Sequence, residues 1–281
     1  MVDIDAAIGF VVARGDAVDR ARLSFLRTGV VPGDEVFDQI ERGQTRSGGW
    51  PARPDDQTPS VDATCFRLAE LDDLAGLGRP AAVRALQWLA GRQRPDGCWE
   101  EDKALADLAP PWATPGDPDA RFYLTACAGF WLAVADADAQ QADPDSPSPY
   151  GIAPDGEGSA FRDPVERASE ALHERIDEAG GWPGFLVSGW LAGAVLHRTG
   201  RFYEAARIFV VLAERVRTMS AADAAWLVAA LRRAGVTADD ALLVAARDRL
   251  SRTQRPDGSW PSDDDPAFDV HTTLTALRAL R

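Results

Sequence analysis

The sequence predicts an all-α protein, an α6/α6 toroid in which six helical hairpins close into a double ring. Three observations lead there. One turn recurs with the same chemistry at Gln44-Thr-Arg-Ser-Gly-Gly-Trp50, Gln93-Arg-Pro-Asp-Gly-Cys-Trp99 and Gln254-Arg-Pro-Asp-Gly-Ser-Trp260, with a weaker copy at Ala179-Gly-Gly-Trp182. Apolar residues recur at three- and four-residue spacing in about a dozen segments, and the strict alternation of a half-buried strand is essentially missing. The segments alternate in character, each turn joining an Arg- and Glu-rich helix to a smaller, more apolar one.

A turn repeated in this way marks a duplicated supersecondary unit, so the repeat is settled before any single residue is interpreted. Pro-Asp-Gly supplies the reversal, because Pro pre-sets its own φ and Gly adopts positive φ without strain. Stops at Gly, Pro and Asp clusters place helices near 3–14, 17–28, 33–43, 61–75, 79–92, 119–137, 163–178, 185–199, 202–217, 220–234, 238–253 and 269–281. The charged member of each pair, such as Val165-Glu-Arg-Ala-Ser-Glu, suits an outer ring facing water. Its apolar partner, such as Leu186-Val-Ser-Gly-Trp-Leu-Ala-Gly-Ala-Val195, suits an inner ring. Inner helices then run the same way, and their positive dipole ends gather at one mouth. The chain is expected to form one toroid over 1–281, interrupted by a flexible Pro-rich loop at 138–160.

Composition narrows the partners. A net charge of -14 and 46% hydrophobic content give ample core material and oppose binding to nucleic acid and to anionic lipid. Cys65, Cys98 and Cys127 fit no disulfide framework, Asp3 and Asp5 stand where a secretory leader would be basic, and no apolar run reaches transmembrane length. A cytoplasmic protein without a transmembrane segment is expected, as a homodimer or beside a partner subunit if it assembles at all.

The Gln-to-Trp turns, most completely Gln93 to Trp99, resemble the QW motif of squalene-hopene and oxidosqualene cyclases. Their toroid is shared with the β domain of class II diterpene cyclases and the β subunit of protein prenyltransferases. The resemblance implies an acid at the start of an inner helix: the middle Asp of an Asp-x-Asp-Asp-Thr motif that protonates an alkene or epoxide. Here the matching stretch reads Ser60-Val61-Asp62-Ala63-Thr64, so Asp62 aligns with the proton donor and both flanking acids are missing. A lone buried Asp has a raised pKa, and Asp also caps helices well, so the position supports either a site or a cap.

The last repeat carries Asp269-Val270-His271-Thr272-Thr273, in register with Asp62 when Thr273 is matched to Thr64. It is also similar to the Asp-x-x-His-Thr stretch of prenyltransferase β subunits, where the His binds zinc. Ring closure would bring Asp62 and Cys65 beside His271, a ligand set of the right types with the wrong spacing. The reading taken forward holds neither a metal nor a cofactor. A third strip, Asp117-Pro118-Asp119-Ala120-Arg121-Phe122-Tyr123, opens another inner helix. Its acids suit a helix start, while Asp119 could handle a proton and Arg121 a diphosphate. Aromatics on the inner helices or their entrances, Trp112, Phe122, Tyr123, Phe185, Trp190 and Trp226, would give π faces for cations or simply pack.

The expected activity is a class II-like cyclisation or isomerisation of a hydrophobic isoprenoid. Asp62 would act as acid or base, with Asp119, Asp269 and His271 as polar groups of the mouth. The alternatives are a non-catalytic toroid that binds an isoprenoid or a partner, and a zinc-dependent enzyme similar to the prenyltransferases.

Overall fold

The computed structural model describes residues 2–141 and 159–281. Among them lie α1 (Ile4–Arg14), α2 (Ala17–Thr28), α3 (Asp34–Glu41), α4 (Val61–Asp72), α5 (Pro80–Arg92), α6 (Pro118–Gln141), α7 (Arg162–His173), α8 (Leu186–Arg198), α9 (Phe202–Arg215), α10 (Ala221–Arg233), α11 (Ala241–Thr253) and α12 (Asp269–Leu280). The even-numbered helices form the inner ring, with α4 on α6, α6 on α8, α8 on α10, α10 on α12 and α12 on α2. The odd-numbered helices wrap them, and α1 closes against α12.

Sequence pattern decides which ring a helix joins. In α9 the buried residues are Ala205, Ile208 and Leu212, a three- and four-residue stripe on an otherwise wet helix. In α8 every residue from Ser188 to Leu196 is buried, because neighbours cover it all round. Starts are set locally: Asp16 and Asp19 form a reciprocal capping box on α2, Ser60 and Ser220 cap α4 and α10, and Pro opens α5 and α6 at positions where no amide is needed.

The repeated turn docks each hairpin onto the next. Gln44 Nε2 donates to Gly48 O and Ala81 O, both at 2.7 Å. Gln93 does the same to Gly97 O and Pro164 O at 3.0 and 2.8 Å, and Gln254 to Gly258 O and Asp3 O at 3.0 and 2.8 Å. Gly48 sits at φ 109°, and a Cβ there would stand 2.6 Å from the Arg84 carbonyl of the next outer helix. Only glycine permits that approach. Each Trp indole then reaches back to the end of its outer helix, as Trp99 Nε1 to Leu89 O and Trp260 Nε1 to Leu250 O, both at 2.8 Å.

At the opposite end from these turns, charges tie the inner ring together. Asp72 accepts from Arg233 and Arg278 at 2.9 and 2.7 Å, Asp138 takes two bonds from Arg233, and Asp73 pairs with Arg22 and Arg278. Five inner helices, α2, α4, α6, α10 and α12, therefore share one ion-pair layer.

One expectation is corrected. The loop expected from 138 begins later, since α6 continues to Gln141, with Asp138 held by Arg233 and Gln140 bonded to Asp136 at 2.7 Å. Its residues 142–158 lie outside the described residues. Among the described residues a two-residue antiparallel ladder of β1 (Trp50–Pro51) and β2 (Pro59–Ser60) leads into α4, and the fold is otherwise helical as expected.

Gln254→Ala should lower unfolding stability by about 2–3 kcal/mol, because it strips bonds from two turn carbonyls and from the Asp3 amide. Urea denaturation followed by circular dichroism measures this, and an unchanged midpoint would count against the staple.

Candidate active site

The start of α4 frees Asp62 from capping. Ser60 Oγ accepts the Ala63 amide at 3.0 Å and donates to Glu101 Oε1 at 2.7 Å. Glu101, 4% exposed, also accepts the Val61 and Asp62 amides at 3.0 and 2.9 Å. The helix's loose N–H groups are satisfied by these two side chains, so the Asp62 carboxyl is free to make other contacts. Its Oδ1 accepts the Tyr123 hydroxyl at 2.8 Å and its Oδ2 accepts the Trp112 indole N–H at 3.2 Å.

Burial pushes the Asp62 pKa above the usual carboxylate range, and the Tyr123 and Trp112 donors pull against that rise. Burial raises Glu101 as well, opposed by its three donors. Tyr123 is pushed well up by burial and by nearby Cys127 and Asp62, and the Cys65 thiol by burial and by Cys127. All three cysteines are free thiols.

Aromatic rings extend from this carboxyl around the inner ring. Tyr123 meets Phe185 edge-on at 6.3 Å, and Trp190 meets Trp226 at 6.0 Å. Phe66 and Trp226 are 49% and 41% exposed although both sit on inner helices, so their rings border open space inside the ring or at its mouth. Trp112 stands at the entrance, in a short turn of residues 111–113.

The other residues singled out from the sequence separate into two groups. Tyr123 and Trp112 bond Asp62 and Phe185 meets Tyr123 edge-on, whereas Trp190 is fully buried against Trp226. Asp119 is exposed at the start of α6, beside the Gly184 turn. The remaining side chains are committed elsewhere. Phe122 is 2% exposed within the wall, since its neighbour Tyr123 takes the inward direction. Arg121 pairs with Asp96 of the second turn. Asp269 accepts from Arg255 and from the Ser262 amide, so it braces the last turn.

His271 is not gathered with Asp62 and Cys65. Helix α2 packs on α12, and its Arg22 bonds His271 Nδ1 at 3.0 Å while Phe66 stacks on the ring at 5.9 Å. Among the described residues no three His, Cys, Asp or Glu side chains converge as a metal-ligand set. Glu101 escaped sequence reasoning; its signal was an acidic pair, Glu100-Glu101, directly after the turn Trp99.

The fold is that of solved terpene cyclases. The chain is similar to type II terpene cyclase MstE from Scytonema at 15% identity, covering 99% of this chain and 96% of that one with a TM-score of 0.59. An aspartate-to-asparagine variant of MstE, in complex with geranylgeranyl dihydroxybenzoate as substrate, matches at 15% identity, covering 99% and 95% with a TM-score of 0.58. A protein from Actinoplanes matches at 19% identity, covering 98% and 97% with a TM-score of 0.60. No protein-family model matches the chain, and no curated protein matches it in sequence. No helix among the described residues is long and apolar enough to cross a membrane.

Burial and Arg22 depress the His271 pKa from 6.5 to about 4. The neutral ring's contribution is therefore present above 6.5 and lost as pH falls toward 4, on the order of 3 kcal/mol in all. His271→Gln should flatten the stability profile across that window, as read by urea midpoints at successive pH values; an unaltered acid limb would refute the assignment.

Proposed function

We propose that this protein is a class II-like terpene cyclase or isomerase, with Asp62 donating the initiating proton to an isoprenoid polyene. The observation that carries the reading is the Asp62 carboxyl, half-buried at the start of an inner helix and hydrogen-bonded by Tyr123 and Trp112, with Phe185 edge-on to Tyr123. The likeness of the fold to cyclases such as MstE adds support.

Each part of the site has a task in this scheme. Burial raises the Asp62 pKa and so favours the protonated form, which a donor requires. The proton then adds to one carbon of a terminal C=C bond or to an epoxide oxygen, leaving a carboxylate whose two oxygens already accept Tyr123 and Trp112. These preorganised donors stabilise the charge that develops on the acid. The cation moves along the chain as C–C bonds form, and the exposed faces of Trp226 and Phe66 stabilise it. Loss of a proton from a neighbouring carbon to water at the mouth restores a C=C bond, and Asp62 regains its proton from water. Asp119 is the polar rim group nearest this scheme, while Asp269 and His271 serve the scaffold.

Asp62→Asn should reduce turnover of farnesyl, geranylgeranyl or squalene-type polyenes by about 10²- to 10⁴-fold with the fold retained. Uptake of the polyene without chemical change by the wild-type protein would favour a binding toroid instead. Since the acid form is the active one, kcat/KM should hold at low pH and fall as pH rises through the raised Asp62 pKa. Tyr123→Phe removes a donor to the carboxylate, so its falling limb should move to higher pH with a lower plateau; a limb that moves down would contradict the role given to Tyr123.

A further inference from the structure

Outer helices α5 and α7 meet water through polar side chains: α7 exposes Asp163, Glu166, Arg167 and Glu170, and α5 exposes Arg84 and Gln87. Helix α9 departs from them. It buries Ala205, Ile208 and Leu212 against the inner ring and turns a second apolar stripe outward. On that side Tyr203 is 73% and Val210 61% exposed, with Ala206 and Ala213 exposed between and beyond them. Steps of three and four residues put these four side chains on one face, and a helix needs only one apolar face to dock on its own ring.

The outward face is symmetric about Val210. Three, four and seven residues before it stand Arg207, Ala206 and Tyr203; three, four and seven after it stand Ala213, Glu214 and Arg217, the last in the short turn that continues α9. Glu214 and Arg217 are exposed and form no ion pair among the described residues. Arg207 lies over the Tyr203 ring at 5.3 Å and donates Nη1 to Glu178 O at 3.0 Å, which leaves its Nε without a partner.

We infer that α9 pairs with α9 of a second copy of this chain, antiparallel across a two-fold axis at Val210. In a two-fold interface every contact is made twice, so the face has to complement itself. This one does. The two Val210 side chains meet at the axis, and Ala206 faces Ala213 of the other copy, small residues that let the backbones approach. On the opposite edge Arg207 meets Glu214, and at each end the Tyr203 ring takes Arg217 on its open face. Glu214 and Arg217 thereby gain partners that they lack within one chain. The 14 residues of α9 make about 21 Å of helix, so the contact belongs with interfaces under about 1,200 Å² and the dimer forms as concentration rises.

Sedimentation equilibrium of the full chain, from low micromolar to near-millimolar concentration, tests this, with circular dichroism to check that each variant keeps its helical signal. The wild type should show a reversible equilibrium between monomer and dimer. Val210→Glu sets two like charges at the axis and should leave only monomer; the side chain is exposed, so the substitution does not disturb the core. Glu214→Arg sets a second cation against Arg207 and should weaken dimerisation at least about tenfold. Adding Arg207→Glu to it restores opposite charges in the same register and should recover most of that loss. A wild type that stays monomeric throughout overturns the inference and leaves the face to a different partner. A dimer indifferent to Val210→Glu overturns it too, as does a double variant that dimerises no more tightly than Glu214→Arg alone.

Discussion

The ring depends on satisfying the backbone carbonyls where one hairpin meets the next. A buried carbonyl without a donor costs about 1–3 kcal/mol, and every outer-to-inner turn creates several. One glutamine amide serves two at once, its own turn's glycine and the first turn of the next outer helix. Its carbonyl is occupied in turn, by Arg84 on Gln44, Arg167 on Gln93 and the Asp3 amide on Gln254. The last of these joins residues 251 positions apart, so the closure of the ring is the same bond that builds each step. Where the glutamine is missing, at Ala179-Gly180-Gly181-Trp182, Asp177 takes the Ala179 and Gly181 amides and Arg207 reaches the Glu178 carbonyl.

That scaffold fixes a common height on the inner helices. The amides of Trp50, Trp99 and Trp260 donate to Thr64, Thr125 and Thr273, and each threonine returns its hydroxyl to the carbonyl four residues earlier. Two residues before each threonine stand Asp62, Tyr123 and His271. Equivalent positions thus carry an acid, a hydroxyl and an imidazole, and packing order decides which of them meet. Helices α4 and α6 are neighbours, so Tyr123 reaches Asp62. Helix α2 packs on α12 and puts Arg22 against His271, which keeps the imidazole neutral and inside the scaffold.

The sequence was most legible where punctuation is local. Gly, Pro and Asp clusters located the helices, and the spacing from Gln to Trp located the joints, because both are settled within a few residues. Asp62 was legible as a candidate through its place after Gly48-Gly49-Trp50. Its partners were not. Tyr123 lies 61 positions away and reads as one more aromatic until the rings are in register. Arg121 looked free because Asp96, its partner, lies in the preceding turn. Glu101 was hidden by its exposed-looking neighbours Glu100 and Asp102, although it alone of the three is buried. The end of α6 was misplaced because a polar run reads as loop when the Arg233 that pairs with Asp138 is out of sight.

The missing flanking acids change meaning in this setting. A second carboxylate beside Asp62 would raise its pKa by repulsion whenever it ionised. A phenol and an indole donate to the carboxylate without carrying charge of their own, so they strengthen the acid at the moment of transfer and impose no penalty before it. The one nearby carboxyl, Glu101, lies behind the helix start and is engaged by Ser60 and two amides. The positive end of the α4 dipole favours the same anionic state. Burial raises the Asp62 pKa, while the fixed neutral donors Tyr123 and Trp112 lower it. In the proposed scheme these are the two opposed requirements of a proton donor to carbon, and the residues concerned come from α4, α6 and the entrance turn.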